Sequence, residues 1–273
     1  MRSVSGVFPV PVNLSPSRVD SFLTCPLAFR FSSIEKLPEP PSPHTTKGSL
    51  VHRALELLFA LPAAERTLDA ADTAYAQAAD EYRTHADFTG LGLDAAAADE
   101  FFADGLVLTR KYFDIEDPAA IEAVGLEVWL EAPIGDVTIR GIIDRLERDA
   151  QGRLIVSDYK TGRAPHPNYQ AQRMAGVNLY ALMVAEHFGE LPARVQLLHL
   201  QEPVAIVAET SEQQARGVER KTVAVWDAIG TACQRGEFRP KPSRLCEWCS
   251  FQPFCPEFGG DPQAALDLLA ADD

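Results

Sequence analysis

The chain has 273 residues, 46% of them apolar, and a net charge of −14. That apolar content supports a sizeable core and excludes wholesale disorder. No apolar run reaches the roughly 18 residues of a membrane span, and the acidic balance argues against a generic nucleic-acid coat, which works by neutralising phosphates. The N-terminal stretch carries only Arg2 and a short apolar patch broken by Pro9 and Pro11. That is a poor secretory signal, so a cytoplasmic chain is expected. Of the five cysteines, Cys25, Cys233, Cys246, Cys249 and Cys255, three fall within ten residues. An odd, clustered set in such a chain points to metal chemistry rather than a disulfide framework.

Residues 14–31 read as a helix, with Ser15 as N-cap, Pro16 as first helical residue and Leu14 and Val19 placed for a hydrophobic staple. Pro26 makes Cys25 a helix end or kink. Residues 36–46 read as a Pro-rich loop, and 48–61, 67–86 and 94–114 as Ala-rich helices with apolar residues at helical spacing. The character changes near residue 121. Segments 121–132, 137–148 and 153–160 are rich in Val, Ile and Leu, with Gly135-Asp136 and Asp149–Gly152 as turns. A helix over 168–188, strands over 194–200 and 203–209, a helix over 211–235 and an acidic tail over 261–273 complete the chain. Helices, then a meander, then helix and strands imply an α+β fold with a mixed sheet. One domain over 1–273 is expected, with a helical part (14–115), a sheet core (120–210) and a C-terminal helix with its cysteine segment (211–258).

The segment 141–162, GIIDRLERDAQGRLIVSDYKTG, carries the first constellation. If Arg148 pairs with Arg153, the hairpin brings Asp144 within one residue of direct opposition to Asp158, and a bulge or slip sets the facing. Asp158 and Lys160 share a strand face. Two carboxylates and an ammonium among Ile142, Ile143, Ile155 and Val156 are costly to bury without partners. A divalent cation held by both aspartates resolves this, and hard oxygen ligands suit Mg²⁺ or Mn²⁺. The plainer reading is a solvated hairpin with ordinary surface charges. On a helix, Gly48 and His52 share a face: Gly48 permits close approach, and His52 offers an imidazole ligand. Glu56, on the same face, reads as a surface residue.

The second constellation is Cys246-x2-Cys249-x5-Cys255. A four-ligand site needs one more residue, Cys25 at its helix end or Cys233 in an apolar helical pattern. With Cys25 the centre ties the two ends of the chain together. Zinc and [4Fe–4S] are both compatible with the spacing. Trp248, Phe251, Phe254 and Phe258 suit a shielded cluster.

Taken together, S-x4-F-x2-C-P (Ser17–Pro26), G-x3-H (Gly48–His52), G-x-I-D-R (Gly141–Arg145), D-Y-K-T-G (Asp158–Gly162) and the cysteine tail resemble the RecB-type exonucleases of the PD-(D/E)xK superfamily. These include the AddB nuclease domain and the RecB-like nucleases of CRISPR adaptation. The resemblance implies a restriction-endonuclease-like mixed-sheet core with helical additions. It implies a metal-dependent DNA exonuclease acting on single-stranded ends. His52, Asp144 and Asp158 would bind Mg²⁺ or Mn²⁺, Lys160 would assist catalysis, and Cys25, Cys246, Cys249 and Cys255 would hold a [4Fe–4S] cluster. The family's Q-x3-Y is only partly kept: Tyr180 fits, but Gly176 stands at the Gln position, and Gln172 lies one turn upstream. No G-x4-G-K-[ST] phosphate loop is present, so a motor would come from a separate helicase or CRISPR adaptation protein. The basic segment 235–246, with Arg216, Arg220, Lys221, Arg163 and Arg173, reads as a candidate phosphate track. The alternative function is a catalytically silent, cluster-stabilised DNA-binding subunit; another is a zinc-stapled enzyme on a different substrate.

Overall fold

The computed structural model describes residues 8–265, with the side chains of Ala171, Gln172, Arg173 and Ala175 outside the described set. The first seven residues and most of the acidic tail therefore lie outside it. Nine-residue α1 (Pro16–Thr24) starts where the capping pattern puts it, Ser15 Oγ accepting from the Arg18 amide. Cys25 is extended and breaks the helix, and α2 (Pro26–Phe29) restarts on Pro26. A π-helical stretch, Arg30–Glu35, follows. The expected loop over 36–46 is shorter than the sequence suggests, because Ser42 caps α3 (Pro43–Phe59) with Pro43 in its first turn. Helices α4 (Leu68–Arg83), α5 (Ala86–Thr89) and α6 (Ala95–Lys111) follow, with Thr67 capping α4 and Asp94 capping α6.

Five strands form one sheet in the order β1 (Glu122–Ile134), β2 (Val137–Arg148), β3 (Leu154–Lys160), β4 (Arg194–His199) and β5 (Val204–Glu209). Helix α7 (Pro167–Phe188) connects β3 to β4, which run parallel, while β2–β3 and β4–β5 are antiparallel. β3 is buried along nearly its whole length, including its apolar start Leu154–Val156 and the polar Ser157 and Asp158. Helix α8 (Glu212–Arg235) follows the sheet. This is the mixed-sheet α+β architecture expected from the sequence.

The chain divides into two compact units. The larger holds Pro41–Leu130 and Gly141–Ala215. Its core is built on α3, whose Val51, Leu55 and Leu58 are fully buried against Tyr112, Tyr159 and Leu198, while Leu50 and Ala54 pack with Tyr75 and Phe101. Each such aliphatic side chain contributes about 1.5–3 kcal/mol. The smaller unit holds the described residues up to Pro40, the hairpin tip Glu131–Arg140, and the residues from Arg216 onward. Leu14 bridges Ile139 there, with backbone hydrogen bonds at 2.9 and 2.8 Å. Among the described residues no helix is long and apolar enough to cross a membrane.

Candidate metal centre

The β2–β3 hairpin settles the facing of the two aspartates. Arg148 pairs with Leu154, not Arg153, and Arg145 pairs with Ser157. The recorded pairing ends there, and one further step along this register would set Asp144 across from Asp158. The Asp149 carboxylate holds the turn by accepting from the Gln151 and Arg153 amides. Asp144 Oδ2 accepts from the Tyr159 amide at 2.7 Å, which fixes its carboxylate beside the next strand. Asp158 is 6% exposed. Its Oδ2 touches the Lys160 ammonium but accepts no properly directed hydrogen bond. Burial pushes the Asp158 carboxyl well up, with Asp144 adding to the rise and Lys160 opposing it.

Helix α3 delivers the imidazole. Gly48 lets the helix approach closely: a Cβ there would lie 3.3 Å from Thr161 Oγ1. One turn later, His52 Nε2 donates to the Tyr159 carbonyl at 3.0 Å, which leaves Nδ1 facing Asp144 Oδ1 at 3.5 Å. Without a metal, a proton on Nδ1 can be shared with Asp144; with Nε2 tethered to the carbonyl, loss of that proton would leave the lone pair on Nδ1, the arrangement a metal-binding imidazole needs. Burial alone would lower the His52 pKa, but the Asp144 hydrogen bond and the charges of Asp144 and Asp158 raise it overall.

The structure adds a residue that the sequence reading missed. His52, Glu127 and Asp144 bring ligand atoms within 4.8 Å of one another. Glu127 lies on β1 with φ +45°, a left-handed backbone that costs about 1–3 kcal/mol for a non-glycine residue and recurs at functional sites. Its carboxyl is pushed up to about 7, first by burial and then by Asp144. A signal was available. The two-residue turn Gly135-Asp136 joins β1 to β2, and counting back from it places Glu127 opposite Asp144. Tyr180 on α7 is buried, its hydroxyl pKa raised by burial and by the charges of Asp158, Asp144 and Glu127. The Gln172 side chain lies outside the described residues. Hard carboxylate oxygens, one imidazole nitrogen and a buried oxygen without a directed partner fit Mg²⁺ or Mn²⁺. Lys160, 43% exposed and paired with Asp158, is the nearby cation that an anionic substrate could meet.

The four sequence-nominated cysteines lie in the smaller unit. Cys25, Cys246, Cys249 and Cys255 line one largely apolar cavity of about 140 Å³ with Leu27 and Phe31. Burial raises the Cys249 thiol pKa, and the other three cysteines add to the rise. The Ser243 amide donates to Cys246 Sγ at 3.3 Å. The sulfurs do not converge on one point: among the described residues, the His52 group alone brings three candidate ligand atoms within 4.8 Å. Cys233 is fully buried on α8, its thiol pushed up to about 11 by burial, as a packing residue would be. The aromatic surround is thinner than expected, because Phe251 is buried but Trp248 and Phe258 are 79% and 53% exposed.

The family model of the PD-(D/E)XK nuclease superfamily matches residues 13–256. The Gene 69 protein of Mycobacterium phage D29 is 24% identical over 204 residues, covering 64% of this chain and 70% of that protein. The crystal structure of a candidate exonuclease from Eubacterium rectale aligns over 87% of both chains at 13% identity with a TM-score of 0.46.

Proposed function

The chain belongs to the PD-(D/E)XK nuclease superfamily, and on that premise we propose that it is a metal-dependent deoxyribonuclease acting on DNA ends, single-stranded ends above all. The observation that carries this reading is the meeting of His52, Glu127 and Asp144, with the buried Asp158, which is not one of those three, held against Lys160 and feeling the charges of Asp144 and His52. Asp144 and Asp158 are the proposed core ligands, with His52 Nδ1 and Glu127 completing the set. A bound Mg²⁺ or Mn²⁺ would supply Lewis acidity to the scissile phosphate and lower the pKa of water. The chain's own residues do the rest. The Tyr159 carbonyl holds the His52 ring, the Tyr159 amide holds Asp144, and Lys160 orients water or offsets charge that builds on the phosphate.

The four cysteines lining one cavity are compatible with zinc or a [4Fe–4S] cluster, and the family resemblance favours the cluster. A polynuclear cluster spreads its ligands around a larger volume, and N–H···S bonds such as Ser243 to Cys246 tune such centres. Such a nuclease would serve DNA repair, recombination or CRISPR adaptation beside a separate helicase or adaptation protein. The test is digestion of 5′- and 3′-labelled single- and double-stranded DNA by anaerobically purified protein with Mg²⁺ or Mn²⁺. Cleavage that needs the metal and disappears in Asp158→Ala supports the reading. DNA binding without cleavage would favour the silent subunit, and cleavage by Asp158→Ala equal to wild type would sink the site.

A further inference from the structure

Trp129 and Ile142 are large apolar residues left open to solvent, at 58% and 47% exposure. Both belong to the larger unit. Counting from the two-residue turn at Gly135-Asp136 places them opposite each other, one cross-strand step from the Glu127–Asp144 pair. Strand alternation puts Asp144 and Ile142 on one face of β2, Trp129 opposite Ile142 shares that face, and Glu127, despite its left-handed backbone, reaches it because its carboxylate lies within 4.8 Å of the Asp144 ligand atom. The burial pattern agrees: Leu130 and Ile143, the neighbours of opposite parity, are 2% and 0% exposed. The step from Glu127 to Trp129, or from Asp144 to Ile142, is about 6.6 Å along a strand. An indole backed by a branched aliphatic side chain thus forms a flat shelf beside the carboxylates. In the same unit the Lys160 ammonium touches Asp158, and Arg163, three residues further along the chain, is 77% exposed and paired with Glu202.

This combination calls for an occupant with two parts: an anion for the metal ligands and the cations, and a flat apolar group tethered near it. A nucleotide has both. A base inside a duplex has its faces covered by neighbouring bases, whereas an unpaired terminal base can offer one to an indole. We infer that Trp129, backed by Ile142, is a base-stacking platform that selects unpaired nucleotides next to the phosphodiester site. This deepens the nuclease reading and rests on it for the identity of the anion.

The test is equilibrium binding, so it does not depend on cleavage. Short fluorescein-labelled single strands and blunt hairpin duplexes are titrated with wild type, Trp129→Ala, Trp129→Phe and Ile142→Ala in Ca²⁺, with circular dichroism melts as the folding control. Trp129→Ala should weaken single-strand binding roughly 5- to 150-fold, the range for losing one stacked base, and leave the duplex less affected. Trp129→Phe should retain most of the affinity and also covers the case in which the alanine variant folds poorly. A single abasic nucleotide is then moved along the strand. At one position it should weaken wild type, yet cost Trp129→Ala nothing further. Unchanged single-strand affinity, equal losses on both substrates, or additive abasic losses at every position would overturn the inference. So would a change in self-association in place of a change in DNA affinity, which would make the shelf a contact between copies of this chain. If wild type stacks single strands but does not cut them, the nuclease reading fails and the platform stands. If wild type cuts and Trp129→Ala binds as wild type does, the platform alone fails.

Discussion

Arg145→Met tests whether a buried charge network holds the strand that carries the site. The Arg145 side chain is fully buried. Its guanidinium donates to Glu147 at 2.5 Å, Glu116 at 2.7 Å, Tyr112 at 2.8 Å and Tyr159 at 3.0 Å. Burial already pushes the Glu147 carboxyl up, and Arg145 is the main force holding it down. Methionine keeps much of the volume but strands that carboxylate. Breaking a buried pair from one side costs about 3–5 kcal/mol, or roughly 6–20 °C in Tm for a chain of this size. Glu147→Gln added to Arg145→Met removes the stranded charge and should return most of the loss, because a buried pair replaced as a whole is often close to neutral. Tyr159 sits between Asp158 and Lys160 and binds both His52 and Asp144 through its backbone. The single variant should therefore also weaken Mn²⁺ binding. Urea unfolding followed by circular dichroism, with calorimetric Mn²⁺ titration, measures both. A loss below about 1 kcal/mol, or a double variant no more stable than the single one, would refute the argument.

Glu127 sets a pH dependence. Its folded-state carboxyl is raised from 4.5 to about 7, so the folded chain holds that proton more tightly than the unfolded one. Metal-free stability should then be highest below pH 4.5 and fall as pH rises to about 7. The raised values of Asp158 and His52 act in the same sense. Glu127→Gln should flatten its part of the decline, and a melting series equally steep in the variant would contradict it. Lys160→Ala should cut turnover by on the order of 10²-fold or more while leaving Mn²⁺ affinity nearly intact; calorimetry that traces the whole defect to lost Mn²⁺ would reverse its role. Cys25→Ser should lose iron and acid-labile sulfide and become protease-sensitive, whereas Cys233→Ser should keep its iron. Normal iron in the first variant, or loss only in the second, would reassign the fourth ligand.

Where a residue's role is set by its near neighbours, the sequence was legible. Ser15-Pro16 announced α1, Gly135-Asp136 announced the β1–β2 turn, and Leu154-Ile155-Val156 announced a strand. Asp144 and Asp158 were placed within a residue of opposition, and the last step came from a loop one residue longer than assumed, with Leu154 rather than Arg153 across from Arg148. Ser42-Pro43 carried the same capping signal as Ser15-Pro16 but was hidden in a Pro-rich stretch. Glu127 has no local motif. Its role depends on a cross-strand partner and on an unusual backbone angle that composition does not report. Nor could spacing show that the tip Glu131–Arg140 of one hairpin groups with segments from both chain ends. The openness of Trp248 and Phe258 was equally out of reach, since aromatic residues near cysteines look alike in sequence whether they cover them or not.

The central claim is that one end of this sheet is a divalent-metal site. Crystals soaked in Mn²⁺ and measured for anomalous scattering test it most directly. The account predicts a manganese peak within bonding distance of Asp144 and Asp158 carboxylate oxygens, with His52 Nδ1 and Glu127 turned toward it, and no such peak in Asp158→Ala. An empty wild-type site at saturating Mn²⁺, or a peak that ignores both aspartates, would contradict it.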